Sequence, residues 1–184
     1  MLKGKLVRLR EYTKEDLDKV LEYINDPEVK KYLMPGIPFP LRKEDEEKWY
    51  QNLDGFSTKS YSFAIETLSK KEYIGGCGIN NIDWKNSVAT VGIFLGKPHW
   101  NKGYGTDAMK ALVRFIFNEM NINKIKLSVY SFNKRGIRAY EKAGFKIEGV
   151  LREELYREGK YHDVYVMGIL KNEWKNMISS KVWN

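Results

Sequence analysis

With 184 residues, 42% hydrophobic and 14% aromatic, the chain has the composition of one packed globular domain, 1–184, and not of a disordered polymer. No stretch approaches the run of about 18 apolar residues that spans a bilayer, and the charged opening MLKGKLVRLREY lacks the apolar core of a secretion signal, so no membrane partner and a cytoplasmic setting are expected. The formal net charge of +8 fits an anionic ligand; nucleic acid ranks below a polyanionic small molecule, because no aromatic-interleaved basic stripe or recognition motif occurs.

Residues 5–10 alternate Leu6 and Arg8 with Val7 and Leu9 and read as a first strand. Thr13 is placed to cap a helix, with Asp16 as an acidic near-match to a capping box, and Leu17, Val20, Leu21 and Ile24 share one helical face. Asp26-Pro27 ends or breaks that helix. A proline-rich, partly apolar loop runs from Met34 to Pro40, and 44–53 form a short, charge-rich second helix. Residues 61–67 and 72–82 read as a hairpin joined at Ser69-Lys70-Lys71, and 88–95 as a fourth strand. Over 103–120, Ala108, Met109, Leu112, Val113, Ile116, Phe117 and Met120 recur at helical spacing, the clearest apolar stripe in the chain. A fifth strand spans 124–130, and a helix over 133–143 is capped by Asn133 and closed by Gly144. Segments 145–156 and 161–170 form a last hairpin around Glu158-Gly159. The order β-α-α-β-β-β-α-β-α-β-β argues against a purely doubly wound sheet. It predicts a mixed α/β (α+β) fold, a mixed sheet with helices on both faces. No internal repeat, low-complexity segment or linker is visible.

The most informative stretch is Trp100-Asn101-Lys102-Gly103-Tyr104-Gly105-Thr106, between the fourth strand and the amphipathic helix. A glycine-containing turn from strand to helix aims several backbone N–H groups in one direction. With the positive end of the helix dipole they bind phosphate oxygens. Further on, Lys124, Lys126, Lys134, Arg135, Arg138 and Lys142 face only Glu141 in sequence, a local excess of +5 (six cations less one carboxylate) that would attract a polyanion or simply form a solvated face.

A strand–turn–helix alone is weak evidence, but a second segment sharpens it: Ser131-Phe132-Asn133-Lys134-Arg135-Gly136-Ile137-Arg138-Ala139-Tyr140-Glu141-Lys142-Ala143-Gly144-Phe145. Together the two segments resemble the GNAT superfamily of N-acetyltransferases, over roughly 5–174. The resemblance implies a mostly antiparallel sheet splayed between strands four and five. It makes the first segment the acetyl-CoA pyrophosphate loop and the second an asparagine-to-tyrosine helix. The run Leu151-Arg152-Glu153…Gly159-Lys160-Tyr161-His162-Asp163…Met167…Leu170…Glu173-Trp174 resembles the RimJ/RimL-like branch, in which Trp at the position of Trp100 is familiar. Asn101 stands where Gly is common, Gly136 where Ala is common, and Thr90 where many relatives carry Glu, which leaves the usual general-base position without a carboxylate.

The resemblance implies an acyltransferase with acetyl-CoA as co-substrate and direct transfer to a primary amine in a ternary complex. Backbone N–H groups of Lys102, Gly103, Tyr104, Gly105 and Thr106, beside Trp100 and Asn101, would bind the pyrophosphate. The pantetheine arm would lie along Ile93, Phe94 and Leu95, and Asn133 would bond the arm or the pyrophosphate side. Lys102, Lys134, Arg135 or Lys142 would neutralise the 3′-phosphate. A strand-four N–H near Phe94 would meet the oxyanion, and Tyr140 would hydrogen-bond or protonate the departing sulfur. The general base is open among Glu66, Asp83, Glu11 and Glu154.

The acceptor is expected between the Met34 to Leu53 region, the second helix and the last hairpin. It would be a protein N-terminus, a polyamine or another small amine; a homodimer fits the family. Cys77, in a glycine-rich strand, reads as a small buried residue with no adjacent base, and His99 and His162 as loop or hairpin polar residues too far apart in sequence for a metal site, so no metal is expected. Glu44-Asp45-Glu46-Glu47 is a solvated helix start or an attractor of a cationic acceptor. Two other classes compete with the enzyme: a non-catalytic CoA-binding sensor, suggested by Thr90, and a ribosome- or RNA-associated module, suggested by the basic face.

Overall fold

The computed structural model describes residues 2–33, 36–180 and 183; Met34 and Pro35, at the start of the expected proline-rich loop, lie outside the described residues. A seven-stranded sheet has the order β1-β2-β3-β4-β5-β7-β6. Its strands are β1 (Val7–Arg10), β2 (Tyr61–Thr67), β3 (Tyr73–Asp83), β4 (Val88–Leu95), β5 (Lys124–Tyr130), β6 (Lys146–Arg157) and β7 (Lys160–Leu170). Neighbours pair antiparallel throughout except β4 and β5, which run parallel. The parallel step is forced by a helical crossover, α4 (Tyr104–Glu119), whereas the other strands join by hairpins or return after helices.

Helices cover both faces. Alternation along β2 divides the core: Ile65 faces the large cluster built on α4, and Ala64 faces a smaller one with Val20 and Tyr23 of α1 (Leu17–Asn25) and Trp49 of α3 (Lys43–Gln51). The α4 stripe is buried as its spacing predicts: Ala108, Met109, Leu112, Val113, Ile116 and Phe117 are all essentially inaccessible. Asp107, in the first turn of α4, accepts from the backbone N–H groups of Lys5 (2.9 Å), Leu6 (2.7 Å) and Val7 (3.0 Å). This ties the start of the first strand to the N-terminus of α4. Gly4 is required there, since a Cβ would fall 2.2 Å from an Asp107 carboxylate oxygen.

Two helices depart from the sequence expectation. Asp26-Pro27 ends α1 but also starts α2 (Pro27–Leu33). Pro27 opens the helix, the Asp26 carbonyl accepts from Lys30 N–H at 2.8 Å, and the Asp26 carboxylate accepts from Glu28 N–H at 2.8 Å. Beyond β7, α6 (Lys171–Ser179) buries Trp174 against Phe117, ring centroids 5.3 Å apart, while Glu173 accepts from Leu170 N–H at 3.0 Å.

Glu66 is a structural residue, which removes it as a candidate base. It accepts from Arg8 Nε and Arg10 Nε, both at 2.6 Å, and Arg10 makes a two-point contact with Asp16 at 2.7 and 2.8 Å. Asp16 also accepts from Thr13 N–H at 2.9 Å, the backbone half of the expected capping box. Burial raises the pKa of both carboxyls, but hydrogen bonds from Arg10, joined by Thr13 for Asp16 and Arg8 for Glu66, outweigh it and leave both below their ordinary values. Carboxyls depressed in the folded state contribute stability above their unfolded pKa, roughly 4, and lose it as pH falls through the folded values. The melting temperature should therefore fall as pH is lowered from about 5 to about 3, and Arg10→Met should make that fall shallower. Calorimetry across this range checks it; an unchanged acid limb would show that the network contributes nothing.

Candidate active site

β4 and β5 pair over only three positions: Val88 with Lys124, Ala89 with Ile125 and Thr90 with Lys126. Beyond Thr90 the strands separate, so residues 91–95 of β4 keep β3 on one edge and have no ladder partner on the other. The separation coincides with a bulge in β3: the register slips between Ile79 and Asn81, opposite Val91 and Thr90. A bulge adds twist and bends the strand pair. Here it turns β3 and β4 away from β5 at the point where parallel pairing stops. The bulged Asn80 side chain lies over Gly92, where a Cβ would come within 3.0 Å of its amide nitrogen.

The wedge opens into a cleft of about 990 Å³. Ile93, Phe94 and Leu95 line it from β4. So does the entire run from Trp100 to Thr106: Trp100, Asn101, Lys102, Gly103, Tyr104, Gly105 and Thr106. From α5 (Lys134–Lys142) and its cap come Asn133, Arg135, Tyr140 and Lys142. The β4 edge, the Trp100–Thr106 turn, Asn133 and Tyr140 thus face one space. Of the four candidate phosphate cations, Lys102, Arg135 and Lys142 border the cleft and Lys134 does not.

The turn before α4 is built for close approach. Asn101 (φ 58°) and Gly103 (φ 82°) both adopt left-handed conformations. The first helical hydrogen bond runs from Asp107 N–H to the Gly103 carbonyl, and no side chain caps the end. The N–H groups of Tyr104, Gly105 and Thr106 therefore have no partner among the described residues, at the positive end of a sixteen-residue helix. The contrast with α5 is direct: there Asn133 Oδ1 accepts from Gly136 N–H at 2.9 Å.

That cap also explains Gly136. A Cβ at this position would fall 2.6 Å from Asn133 Nδ2 and displace the capping side chain. The glycine leaves room for the capping side chain of α5.

Trp100 is a structural hub. Its indole donates to the Leu95 carbonyl at 2.8 Å, which closes the turn and occupies a β4 carbonyl that the sequence reading offered to a ligand arm. The Arg135 guanidinium lies 3.4 Å from the centroid of the Trp100 ring and 5.2 Å from that of Tyr32. Burial lowers its pKa below the usual guanidinium value. Tyr140 is buried, edge-on to Phe145 at 6.1 Å, and burial pushes its phenol up to about 12. No hydrogen-bond partner holds its hydroxyl among the described residues.

The remaining sequence candidates separate cleanly. Glu154, on β6, borders the cleft; Glu11 and Asp83 do not, and Asp83 accepts from Asn86 at the end of β3. His99 is a buried residue rather than a loop polar group: its Nε2 lies 3.1 Å from Tyr23 Oη, and burial lowers its pKa. Cys77 is buried as expected, and burial raises its thiol pKa. Tyr12, Tyr32, Trp49 and Asn80 also border the cleft and were not singled out from sequence. Tyr32 lies on the missed α2, and Asn80 matters only through its bulge. Among the described residues no group of three or more His, Cys, Asp or Glu side chains gathers as for a metal, and no helix is long and apolar enough to cross a membrane.

A family model described as "Acetyltransferase (GNAT) domain" matches residues 7–146. The chain belongs to the GNAT acetyltransferase family. It is 34% identical over 168 residues to the uncharacterized N-acetyltransferase p20 of Bacillus licheniformis, covering 90% of this chain and 93% of that protein. It is 31% identical to the putative ribosomal N-acetyltransferase YdaF of Bacillus subtilis, over 55% of each chain. Among solved structures it superposes with a TM-score of 0.83 on the spermidine N-acetyltransferase of Vibrio cholerae in complex with CoA and spermine, at 26% identity, covering 92% of this chain and 98% of that one. As a GNAT protein it is an acyltransferase, with the splayed mixed sheet of that fold.

The Asn133 cap is a measurable element of this GNAT cleft. Asn133→Ala should cost about 1 kcal/mol of unfolding free energy, measured by urea denaturation. Gly136→Ala, which gains helix propensity but displaces the cap, should be nearly neutral.

Proposed function

We propose that the protein transfers an acetyl group from acetyl-CoA to a primary amine by direct attack in a ternary complex. The observation that carries this reading is the convergence, on one cleft, of the unpaired β4 edge, the uncapped N-terminus of α4 and the Tyr140 hydroxyl. Each suits one part of the co-substrate. An extended amide-bearing arm adds to the β4 edge over 91–94 as a pseudo-strand. A pyrophosphate takes hydrogen bonds from the Tyr104, Gly105 and Thr106 amides. Lys102 and Lys142 stand near for the remaining phosphate charge, where exposed pairs contribute individually about 0–1 kcal/mol and share the work. The CoA complex of the Vibrio cholerae relative supports the assignment of this wedge.

The acceptor nitrogen attacks the thioester carbonyl; the C–N bond forms, the C–S bond breaks, the amine loses a proton and the thiolate gains one. A lysine-like amine is neutral about once in 2,500 molecules at pH 7, so the site must favour the neutral form. A β4 amide near Phe94 would stabilise the oxyanion. Tyr140, raised to about 12, is a weaker acid than a thiol of pKa ~8.5. Full proton transfer to the thiolate is uphill by about 3.5 units, or about 5 kcal/mol, so the phenol acts as a hydrogen-bond donor to the departing sulfur, with the proton exchanged afterwards.

The RimJ/RimL-like placement is supported by Trp100 and by the partial match to a putative ribosomal N-acetyltransferase. Acetyl-CoA should raise the melting temperature, and a primary amine should trigger thiol release. Tyr140→Phe should lower kcat ~10–1,000-fold with little change in acetyl-CoA affinity. Unchanged kcat in a folded variant would remove Tyr140 from the chemistry.

A further inference from the structure

The charges around the cleft are one-sided. Lys102, Arg135, Arg138 and Lys142 border it, and Glu154 is the only carboxylate that does so among the described residues. None of the four acids of α3, Glu44, Asp45, Glu46 and Glu47, borders the cleft. Asp45 is engaged by Arg42 at 3.0 Å. Glu46 is buried outside the cleft lining, and burial raises its carboxyl pKa. The cationic wall suits a polyanionic co-substrate, and with that bound a single carboxylate remains for the acceptor, whereas a polycation needs an acceptor for every ammonium once desolvated.

The side of the cleft away from α4 is aromatic. Tyr12 meets Trp49 edge-to-face, centroids 4.9 Å apart. Tyr12 and Phe94 close over the glycine floor of β3: a Cβ at Gly76 would fall 1.9 Å from Tyr12 Oη and 2.9 Å from Phe94 Cε1. From the other half of the sheet β6 adds Leu151 and Glu154, where its pairing with β7 slips between Leu151 and Leu155. Glu153, at φ 53° in that irregularity, is held by the Asp163 carboxylate, which accepts its N–H at 2.9 Å, and the next residue is Glu154.

Resting on the acetyltransferase reading above, we infer that the acceptor is a monocationic primary amine flanked by an apolar or aromatic group, with Glu154 meeting its ammonium and accepting the proton the nitrogen must lose before attack, and Tyr12, Trp49 and Phe94 holding its flank, and that polyamines are poor substrates. The inference separates this chain from the spermidine N-acetyltransferase it resembles in fold. The shared chemistry has two sources, a free arylalkylamine or a peptide whose first residue is aromatic.

The test is thiol release at fixed acetyl-CoA with phenethylamine, a phenylalanyl peptide amide and spermidine, for the native chain and for Glu154→Gln. At least one aromatic monoamine should exceed spermidine in kcat/KM by roughly tenfold or more, and which one does so identifies the source. Glu154→Gln should raise the KM of that amine roughly tenfold with the KM for acetyl-CoA unchanged. Spermidine equal or preferred, or an amine KM indifferent to Glu154→Gln, overturns the inference alone. Thermal stabilisation by acetyl-CoA without turnover of any of the three amines also overturns it and leaves the cofactor site standing. Absence of acetyl-CoA binding overturns the proposed function itself.

Discussion

Everything at the cleft depends on a parallel strand pairing that stops after three residues. β4 and β5 hold together from Val88 to Thr90, and the slip in β3 at Asn80 then directs them apart. An open sheet edge in a protein interior is costly, because every unpaired backbone group there needs a partner. The fold keeps this edge open by flanking it with antiparallel ladders, β3 on one side and β7 on the other. The wedge is therefore rigid on both walls and offers backbone hydrogen bonds along one of them. A ligand with amides at strand spacing fits such a gap; a compact anion alone does not use it.

Two helix starts show how the same chain treats structure and site differently. α5 satisfies its first turn with the Asn133 side chain and keeps a glycine at Gly136 so that the cap fits. α4 leaves its first turn without any cap and precedes it with left-handed residues that let an incoming group reach the amides. Its position is instead secured from outside, by Asp107 gripping the backbone of the first strand and by the Trp100 indole on the Leu95 carbonyl. The unsatisfied donors are concentrated where a polyanion would supply the missing acceptors, and the arrangement around them is stiff.

Much of this was legible in the sequence because it rests on periodicity and local turn chemistry. The α4 stripe, the strands at 61–67, 88–95 and 124–130, and the Asn133 and Gly144 signals at the ends of α5 follow from side-chain spacing and backbone preference. Asp26-Pro27 ends the first helix as its sequence implies, but the restart as α2 is not legible, because the dipeptide that closes one helix is also a good cap and first residue for the next. The bulge at Asn80 was invisible: it is a mismatch between two strands and leaves no periodic trace in either. The roles of Glu66 and Glu154 were equally opaque, since nothing local separates a carboxylate bound by Arg8 and Arg10 from one facing a cleft. Arg135 carried the opposite ambiguity, a cation suited to phosphate that the fold stacks on Trp100.

The central claim is that the open β4 edge and the uncapped α4 N-terminus form one binding surface for an extended, pyrophosphate-bearing ligand. Amide hydrogen exchange with and without CoA tests it residue by residue. The account predicts that CoA slows exchange together at Tyr104, Gly105 and Thr106 and at the 91–94 stretch of β4, with little change at the capped start of α5. Protection confined to the basic surface of α5, with the α4 amides and β4 edge unaffected, would contradict it.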